Sequence, residues 1–458
     1  MRILHYSLGL PPYRSGGLTK YSIDLMTTQV QKRNEVALLY PGQINILGTT
    51  VIKKNKDFIG ISVYEIINPL PVPLLGGVTE PESFMKPMKG EKTFVDFLKK
   101  INPDVIHIHT LMGIHFEFFE AAKRLGIKII FTSHDYYGIC PKVNLIESNG
   151  NICESFEDGQ KCVACNSNAY SLPMIYIMQS HGYKKFKSSI LLNKIKSIKK
   201  SELKSKDIKS NTIKKKEDKV DKLKAIGFSK LRNYYISMLE MVDKIHFNST
   251  IAKEQFEKYV STKGRVIEIT HSDISDNRKL KLYNEKKPLQ IGFLGPIEEY
   301  KGFPMLRRSL NRLLDSKEDN WHLHVFGNDG IISLNEDADF ISFHGKYRYE
   351  DLIHIFNKID VLVIPSLWKE TFGFIGLEAM ANGVPAIVTS NVGFKDVVEK
   401  NDIGYIVQPN EIALAKLLQL IINDRKILQS WNENIYNQDF SALMLNHNAV
   451  IEKLYEEI

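Results

Sequence analysis

The sequence predicts an α/β protein built from two Rossmann-like domains, whose doubly wound parallel sheets face each other across a cleft. Its 458 residues exceed the roughly 250–300 that one hydrophobic core supports, so two domains are expected. Short apolar segments alternate with amphipathic helical patterns, which is typical of parallel sheets covered by helices on both faces. This alternation occurs twice along the chain, and each series is expected to form one sheet.

The first series forms a predicted domain over residues 1–272. Its strands are expected at 2–7, 35–40, 105–109, 128–133, 244–248 and 265–270. Its helices are expected at 18–32, 93–101 and 116–125. Two stretches interrupt the alternation, a cysteine-rich loop at 140–165 and a lysine-rich insertion at 184–224.

The second series follows a polar linker, 272–287, and forms a predicted domain over 288–435. Its strands are expected at 289–294, 321–326, 341–344, 361–365 and 386–389, and its helices at 303–316, 349–358 and 376–382. The last residues, 436–458, contain a helical pattern from 441 to 458 that we expect to return to the first domain. Ligands of such sheets bind at the carboxyl ends of the strands, so functional residues are expected there.

The basic charge of the chain is concentrated in the lysine-rich insertion. The chain has a formal net charge of +8, whereas residues 184–224 contain sixteen lysines and five acids, a net of +11. This insertion is either a solvated segment or a peripheral contact with an anionic membrane at its inner face. Aromatic residues are scarce there, so a nucleic-acid partner is not expected. The N-terminus lacks a secretory pattern, and a cytoplasmic location is expected.

Two acids in the second series stand out by their spacing. Glu370 lies in the loop after the strand at 361–365, and Glu378, separated from it by seven residues, lies on the following helix. The free amide groups at the start of a helix suit a phosphate. Glu370 is therefore a candidate contact to a sugar and Glu378 to ribose hydroxyls. The alternative from spacing alone is one capping acid and one surface acid.

The segment 365–385 resembles the E-x7-E motif of glycosyltransferase family 4, including Pro-Ser before it and Glu-Ala-Met-Ala-x-Gly-x-Pro after it. That family has the two-domain GT-B fold and retains the configuration of the transferred sugar. The resemblance implies a nucleotide diphosphate sugar donor. It also implies donor contacts at Phe372, Gly373 and Phe374 beside the two acids.

A second loop of that family places an arginine and a lysine against the donor diphosphate. In this sequence Lys301 occupies the lysine position, whereas Pro296 stands where the family has arginine. The resemblance therefore assigns Lys301 to catalysis and donor binding. One phosphate-pairing charge is missing and has to come from elsewhere.

The first domain is similar to the family at two strand ends. Gly16 and Gly17 resemble the glycine loop that approaches the donor diphosphate, with a simple turn as the alternative. His134 resembles a histidine that contacts the transferred sugar, and Asp135 follows it on the acceptor side. A structural role is the alternative for His134. His107 and His109 share one face of a strand whose end the resemblance places near the acceptor.

The cysteine-rich loop has the ligand types of a structural zinc site. Cys140, Cys153, Cys162 and Cys165 lie within 26 positions and end in a C-x2-C pair. The alternative is four free thiols. No cofactor is expected for catalysis.

The expected function is transfer of a hexose-type sugar from a nucleotide diphosphate sugar to a saccharide or lipid-linked saccharide, in surface polysaccharide biosynthesis. Two alternatives remain open, a catalytically silent sugar-binding or scaffolding protein and a nucleotide-sugar epimerase. Pro296 favours the silent protein, while an epimerase would turn over its donor without an acceptor.

Overall fold

The computed structural model describes residues 1–45, 48–88, 92–186, 217–327, 339–440 and 443–457. They divide into two compact units. The first contains Met1–His246, Phe256–Arg265 and Ile451–Ile458, and the second contains Phe247–Gln255 and Val266–Val450. Most of the lysine-rich insertion, residues 187–216, lies outside the described residues. Within the described ranges, no helix combines the length and apolar character needed to cross a membrane.

The first unit is built around a sheet with strand order β3-β4-β2-β1-β5-β6-β7-β8. The strands are β1 Arg2–Tyr6, β2 Glu35–Pro41, β3 Val51–Lys54, β4 Ser62–Ile67, β5 Val105–Ile108, β6 Lys128–Thr132, β7 Lys244–Phe247 and β8 Gly264–Val266. The pairs from β4 to β7 are parallel, and β3 is antiparallel to β4. Strands β1, β5 and β6 are buried on both faces, which explains their continuous apolar sequences.

The strand order reverses between β1 and β5, and this reversal places the first candidate site. From β1 the chain proceeds outward to β2 and β4, then returns to β5 on the other side. Open α/β sheets bind ligands beside such a switch point, at the carboxyl ends of the strands. His5 of β1 lies opposite His107 of β5 in the parallel register. The histidines predicted from the sequence therefore lie at the centre of this sheet.

The helices of the first unit are Gly17–Gln31, Lys92–Ile101, Phe116–Arg124, Gln160–Cys165, Leu172–Met178, His181–Phe186 and Glu217–Glu240. Two further helices, Thr250–Glu257 and Met444–Glu456, have residues in both units. The last of these begins three residues later than the predicted 441–458. Its final residues belong to the first unit, where Tyr455 and Glu452 bond to Gln29 and Asn34. The strand predicted at 265–270 is wrong in extent, because the chain enters the second unit at Val266 and β8 ends there.

The second unit contains a fully parallel sheet with strand order β11-β10-β9-β12-β13-β14. Its strands are β9 Leu289–Leu294, β10 Trp321–Phe326, β11 Ile341–Phe343, β12 Val361–Ile364, β13 Ala386–Thr389 and β14 Gly404–Val407. Its helices are Phe303–Asp315, Leu352–Lys358, Phe374–Ala381, Lys395–Asn401, Glu411–Asn423 and Lys426–Asn437. The order reverses between β9 and β12, so the loops after these two strands lie beside the switch point.

One predicted helix of the second unit had the wrong start. The sequence predicted a helix at 376–382, whereas the structure has it at Phe374–Ala381 with Gly373 as the residue before its first turn. Gly373 has φ 102°, a left-handed conformation that favours glycine, so the turn can occur two residues earlier. The predicted linker, 272–287, is fully described and contains neither helix nor strand.

Candidate active site

Glu370 is held at both carboxylate oxygens. Its Oε1 accepts a bond from Lys301 Nζ at 3.0 Å, and its Oε2 accepts one from the Ser366 hydroxyl at 2.8 Å. Its backbone N–H donates to the Asn391 carbonyl, and its carbonyl accepts from the N–H of Gly393. Charge-assisted bonds of this kind are about twice as strong as neutral ones. The carboxylate is therefore fixed in position before any ligand arrives.

Lys301 reaches Glu370 because two loops pass very close to each other. Lys301 ends a short 3-10 helix, Glu299–Lys301, and Gly302 follows with φ 77°. A Cβ at Gly302 would collide with the carbonyl of Pro365, so only glycine permits the approach. The Lys301 ammonium also lies 5.1 Å from the centroid of the Trp368 ring, a cation–π distance. Glycine at 302 thus brings the loop after β9 to the loop after β12.

Glu378 has a different partner. Its Oε1 lies 3.3 Å from Nε2 of His271, whose side chain is 5% exposed. The His271 ring is held edge-on by Phe374 and Tyr349, at centroid distances of 5.2 and 5.5 Å. Glu378 also lines a groove of about 250 Å³ with residues that include Tyr349 and Asn382. Its carboxylate is therefore oriented by one buried imidazole and faces an accessible groove.

The aromatic residues of the predicted donor loop lie mostly in the core. Phe372 is 2% exposed and packs against Phe374 and Phe394 at centroid distances of 5.7 and 6.0 Å. A side-chain contact between Phe372 and a ligand would require this packing to open, so the backbone is the part of Phe372 that could meet a donor. Gly373, beside it, begins the helix that carries Glu378.

The first unit contains a cluster of histidines around His134. His134 Nε2 lies 3.2 Å from His109 Nδ1, and its ring lies 4.8 Å from that of Tyr21. His107 and His109 stack at a centroid distance of 4.2 Å and are 0% and 1% exposed. Their predicted contact with an acceptor stays a prediction. Their burial argues that they act through His134 rather than by touching a ligand.

His5, which sequence reasoning missed, completes this cluster. Its Nδ1 lies 2.9 Å from His109 Nε2, and its Nε2 lies 2.7 Å from Gln29 Oε1. Burial lowers the pKa of His5 from its ordinary value of 6.5 to about 4, and burial also lowers the pKa of His109 well below that value. Both rings are therefore neutral at neutral pH. The His-x-His pair could have pointed to His5, because β1 and β5 are neighbours in this fold.

The remaining predicted residues of the first unit lie at loop ends. Gly16 precedes the helix Gly17–Gln31 with φ 113°, and a Cβ added to it would meet no atom within 4 Å. Glycine is therefore favoured there by backbone conformation, and the space beside it is open. Asp135 accepts a bond from the N–H of Tyr137 at 2.8 Å, while burial raises its pKa to about 6.

The four cysteines lie in one region but form no compact ligand set. All four are free thiols, and burial raises the pKa of Cys153 to about 11 and that of Cys162 to about 12. Cys153 and Cys165 donate to the carbonyls of Ser155 and Ile146. Among the described residues, the ligand atoms of His5, His107 and His109 all lie within 4.8 Å of one another. No three of the described cysteines meet this distance. The zinc site stays a prediction.

A known family model matches most of the second unit. Residues 275–438 match the family model of glycosyl transferases group 1. The capsular polysaccharide biosynthesis glycosyltransferase CapM of Staphylococcus aureus is 27% identical over 187 residues, which cover 39% of this chain and 46% of CapM. A D-inositol 3-phosphate glycosyltransferase of Corynebacterium jeikeium is 26% identical over 184 residues, which cover 37% of this chain and 43% of that protein. The chain thus matches less than half the length of these relatives.

Solved structures resemble the whole chain. Anabaena HepE in complex with UDP has a TM-score of 0.59 at 12% identity and covers 100% of both chains. A sucrose-phosphate synthase from Thermosynechococcus elongatus has a TM-score of 0.55 at 15% identity and covers 100% of this chain and 99% of its own. At such identities the likeness shows the fold. Residues 275–438 therefore match the glycosyl transferases group 1 model, in a chain that has the GT-B fold of two Rossmann-like domains.

Proposed function

We propose that the chain is a retaining glycosyltransferase that moves a hexose-type sugar from a nucleotide diphosphate sugar to a saccharide or lipid-linked saccharide. The observation that carries this proposal is the Glu370 carboxylate, fixed by Lys301 and Ser366 beside the switch point of a group 1 domain. A carboxylate held in this way can orient sugar hydroxyls. The ammonium beside it supplies charge for a diphosphate.

Lys301 is the proposed electrostatic group of the reaction. An ammonium has three donors and one is directed to Glu370, so others are available to phosphate oxygens. Negative charge grows on the diphosphate as the sugar leaves, and a fixed cation stabilises that charge in the transition state. The amide groups in the first turn of the helix Phe374–Ala381 can add to this effect. Pro296 leaves this chain with one cation fewer in the loop.

Glu378 is the proposed ribose contact. His271 binds one oxygen of the Glu378 carboxylate, and Tyr349 packs against the His271 ring. These contacts fix the carboxylate plane and therefore the direction of its second oxygen. A carboxylate oxygen accepts hydrogen bonds, and ribose offers hydroxyl donors. On the first unit, His134 is the proposed contact to the transferred sugar, and departure of the diphosphate on the face where the acceptor enters would explain retention.

The comparisons support a nucleotide donor and a polysaccharide product. HepE structures contain UDP and glucose or UDP-glucose, and CapM is a capsular polysaccharide biosynthesis glycosyltransferase.

Peripheral contact with an anionic membrane through the lysine-rich insertion remains part of the proposal. It is tested by sedimentation with vesicles that contain or lack anionic lipid.

The test is a binding and turnover series with UDP-, GDP- and ADP-sugars. We expect one nucleotide class to bind by calorimetry and Glu378→Ala to weaken that binding at least tenfold, since a bond to a charged group contributes about 1.5–3 kcal/mol. Glu399→Ala is the matched control, because Glu399 is an exposed acid on another helix of the same unit. Loss of affinity in both variants would contradict the assignment.

Turnover separates the alternatives. Transfer to a saccharide with the anomeric configuration of the donor, read by proton NMR of the product, supports a retaining transferase. Binding without turnover supports the silent sugar-binding protein that Pro296 favours. Conversion of the donor without an acceptor supports an epimerase.

A further inference from the structure

A line of hydrogen-bonded side chains starts at His134 and passes through the core of the first unit. All its members after His134 are at most 5% exposed: His109, His5, Gln29, Tyr455, His107, Thr132 and His246. They come from four strands or their ends, β1, β5, β6 and β7, and from two helices that are far apart in sequence. Buried polar groups on this scale need complete hydrogen bonding, so the direction of each bond can be worked out.

The first arm of the line runs from His134 to Gln29. His5 Nε2 lies 2.7 Å from Gln29 Oε1, and a carbonyl oxygen can only accept, so His5 donates from Nε2. A neutral imidazole has one donor and one acceptor, so His5 Nδ1 accepts from His109 Nε2 at 2.9 Å. His109 Nδ1 must then accept from His134 Nε2 at 3.2 Å. The proton of His134 is thereby placed on Nε2.

The second arm continues in the same direction. Gln29 Nε2 donates to the Tyr455 hydroxyl at 3.2 Å, and that hydroxyl donates to His107 Nδ1 at 2.7 Å. His107 Nε2 donates to the Thr132 hydroxyl at 2.6 Å, which donates to His246 Nδ1 at 3.0 Å. Every inner group accepts once and donates once. The ring nitrogens of His5, His107 and His109 are engaged in this line, so we assign the three histidines to hydrogen bonding rather than to a metal ion.

We propose that this one-way line holds neutral His134 as the tautomer with its proton on Nε2, with Gln29 and Tyr455 as positioning residues. Nδ1 of His134 can then only accept a hydrogen bond. Any group that bonds there, whether of the chain or a sugar hydroxyl of a ligand, must therefore donate, and a phosphate or ether oxygen cannot. The inference deepens the proposed function, on which the role of His134 as a sugar contact rests.

Gln29 determines the direction of the whole line. Its amide has an acceptor at one end and donors at the other, so it cannot pass a proton from one arm to the other. Reversing His134 would require new tautomers for His109 and His5 and a flip of the Gln29 amide. The flip would also reverse both bonds of the Tyr455 hydroxyl, which accepts from the amide nitrogen and faces His107, so the amide orientation and the directions of all the bonds in the line change together or not at all. The line is therefore an orienting device and not a proton wire.

The tautomer can be read directly from the free protein. Two-bond proton–nitrogen NMR of 15N-histidine-labelled protein distinguishes protonated from unprotonated ring nitrogens, and His134→Gln identifies the signals of His134. We expect protonated Nε2 and unprotonated Nδ1 at His134, His109, His5 and His107. A His134 protonated at Nδ1, or at both nitrogens at neutral pH, would overturn the proposal.

Two variants test the positioning residues. Tyr455→Phe removes the hydroxyl that holds the amide, so we expect the His134 nitrogen shifts to move toward values averaged over both tautomers. Thr132→Ser is the control, because it keeps its hydroxyl and should leave His134 unchanged. An unchanged His134 in Tyr455→Phe would overturn the assignment of Gln29 and Tyr455. NMR of the unaltered protein determines the His134 tautomer even if Tyr455→Phe does not fold.

Activity is measured separately on the same samples. The spectra need no donor or acceptor, so an inactive protein with the expected tautomer would contradict the proposed function alone. An active transferase with His134 protonated at Nδ1 would contradict this inference alone.

Discussion

Each unit contains a pair of stacked histidines anchored by a glutamine. In the first unit His109 bonds to His5 at 2.9 Å and His5 to Gln29 at 2.7 Å. In the second unit His344 lies 3.0 Å from His324, which lies 2.8 Å from Gln290. The pairs have the same local chemistry, since in both the glutamine carbonyl requires the histidine to donate from Nε2.

The surroundings of the two pairs differ. His5 and His109 lie on and beside the two central strands and are 0% and 1% exposed, whereas His324 is 7% exposed and His344, just after the outermost strand β11, is exposed. Gln290 is held by the Pro288 carbonyl, which can only accept, while Gln29 is held by the Tyr455 hydroxyl. The same pair can therefore support a site in the centre of one sheet and merely fill the edge of another.

The largest expected difference is in stability. His5→Leu leaves His109 Nε2 and Gln29 Oε1 buried without a partner, at about 1–3 kcal/mol each, so we expect a loss of about 2–6 kcal/mol. His324→Leu leaves groups that water can reach and should lose about 1 kcal/mol. Urea unfolding at neutral pH measures both. Equal losses would show that burial does not distinguish the pairs.

Acid should affect the first pair strongly. The pKa of His5 is about 4 in the folded chain, against an ordinary value of 6.5. The unfolded chain therefore takes up a proton that the folded chain refuses, and stability falls as pH drops from 6.5 towards about 4, by up to about 3 kcal/mol. Above pH 6.5 this contribution is complete. His5→Leu should flatten the fall in unfolding free energy over that window, and a slope unchanged from that of the unaltered protein would contradict the expectation.

Turnover should separate His134, which bonds to His109 of the first pair, from His344, the outer histidine of the second pair. His134→Gln removes the proposed bond to the transferred sugar, so we expect kcat to fall about three- to tenfold, with donor affinity nearly unchanged. His344→Gln changes the outer histidine of the second pair and should leave kcat unaltered. Steady-state rates with the donor identified by binding provide the measurement. A larger effect at His344 would reverse the roles assigned to the two pairs.

Zinc is expected to change the histidine NMR signals least of all. The predicted zinc site requires the four cysteines to move together around the metal, and it would then hold about one zinc per chain, lost in Cys162→Ser and retained in His5→Leu. Metal analysis of the purified variants measures this, and the histidine NMR signals should be the same with and without zinc. Zinc lost in His5→Leu and retained in Cys162→Ser would place the metal at the histidines instead.

The fold could largely be predicted because its strands are buried on both faces. The bounds of β9, β10 and β13 match the predicted ranges, since apolar residues predominate in each. Strands β3 and β4 were not predicted. Three of the four residues of β3 are exposed, so the strand lacks the apolar run that marked the others.

The site could be predicted only in part. Glu370 and Lys301 were singled out by motif, and the structure brings them together. Ser366 and His271, which hold Glu370 and Glu378, were missed because a serine or a lone histidine in a loop gives no periodic signal. Gln29 and Tyr455 are 426 positions apart, and no local pattern links residues at that distance.

The ion pair between Lys301 and Glu370 has a consequence for donor affinity. Without a ligand, the Glu370 carboxylate neutralises the Lys301 ammonium, as a bound diphosphate would otherwise do. The affinity for a free nucleoside diphosphate is then the difference between two competing ion pairs. A sugar-bearing donor escapes part of that competition, because its hydroxyls offer the displaced carboxylate new partners. On the proposed function, an intact donor would therefore bind more tightly than its spent product.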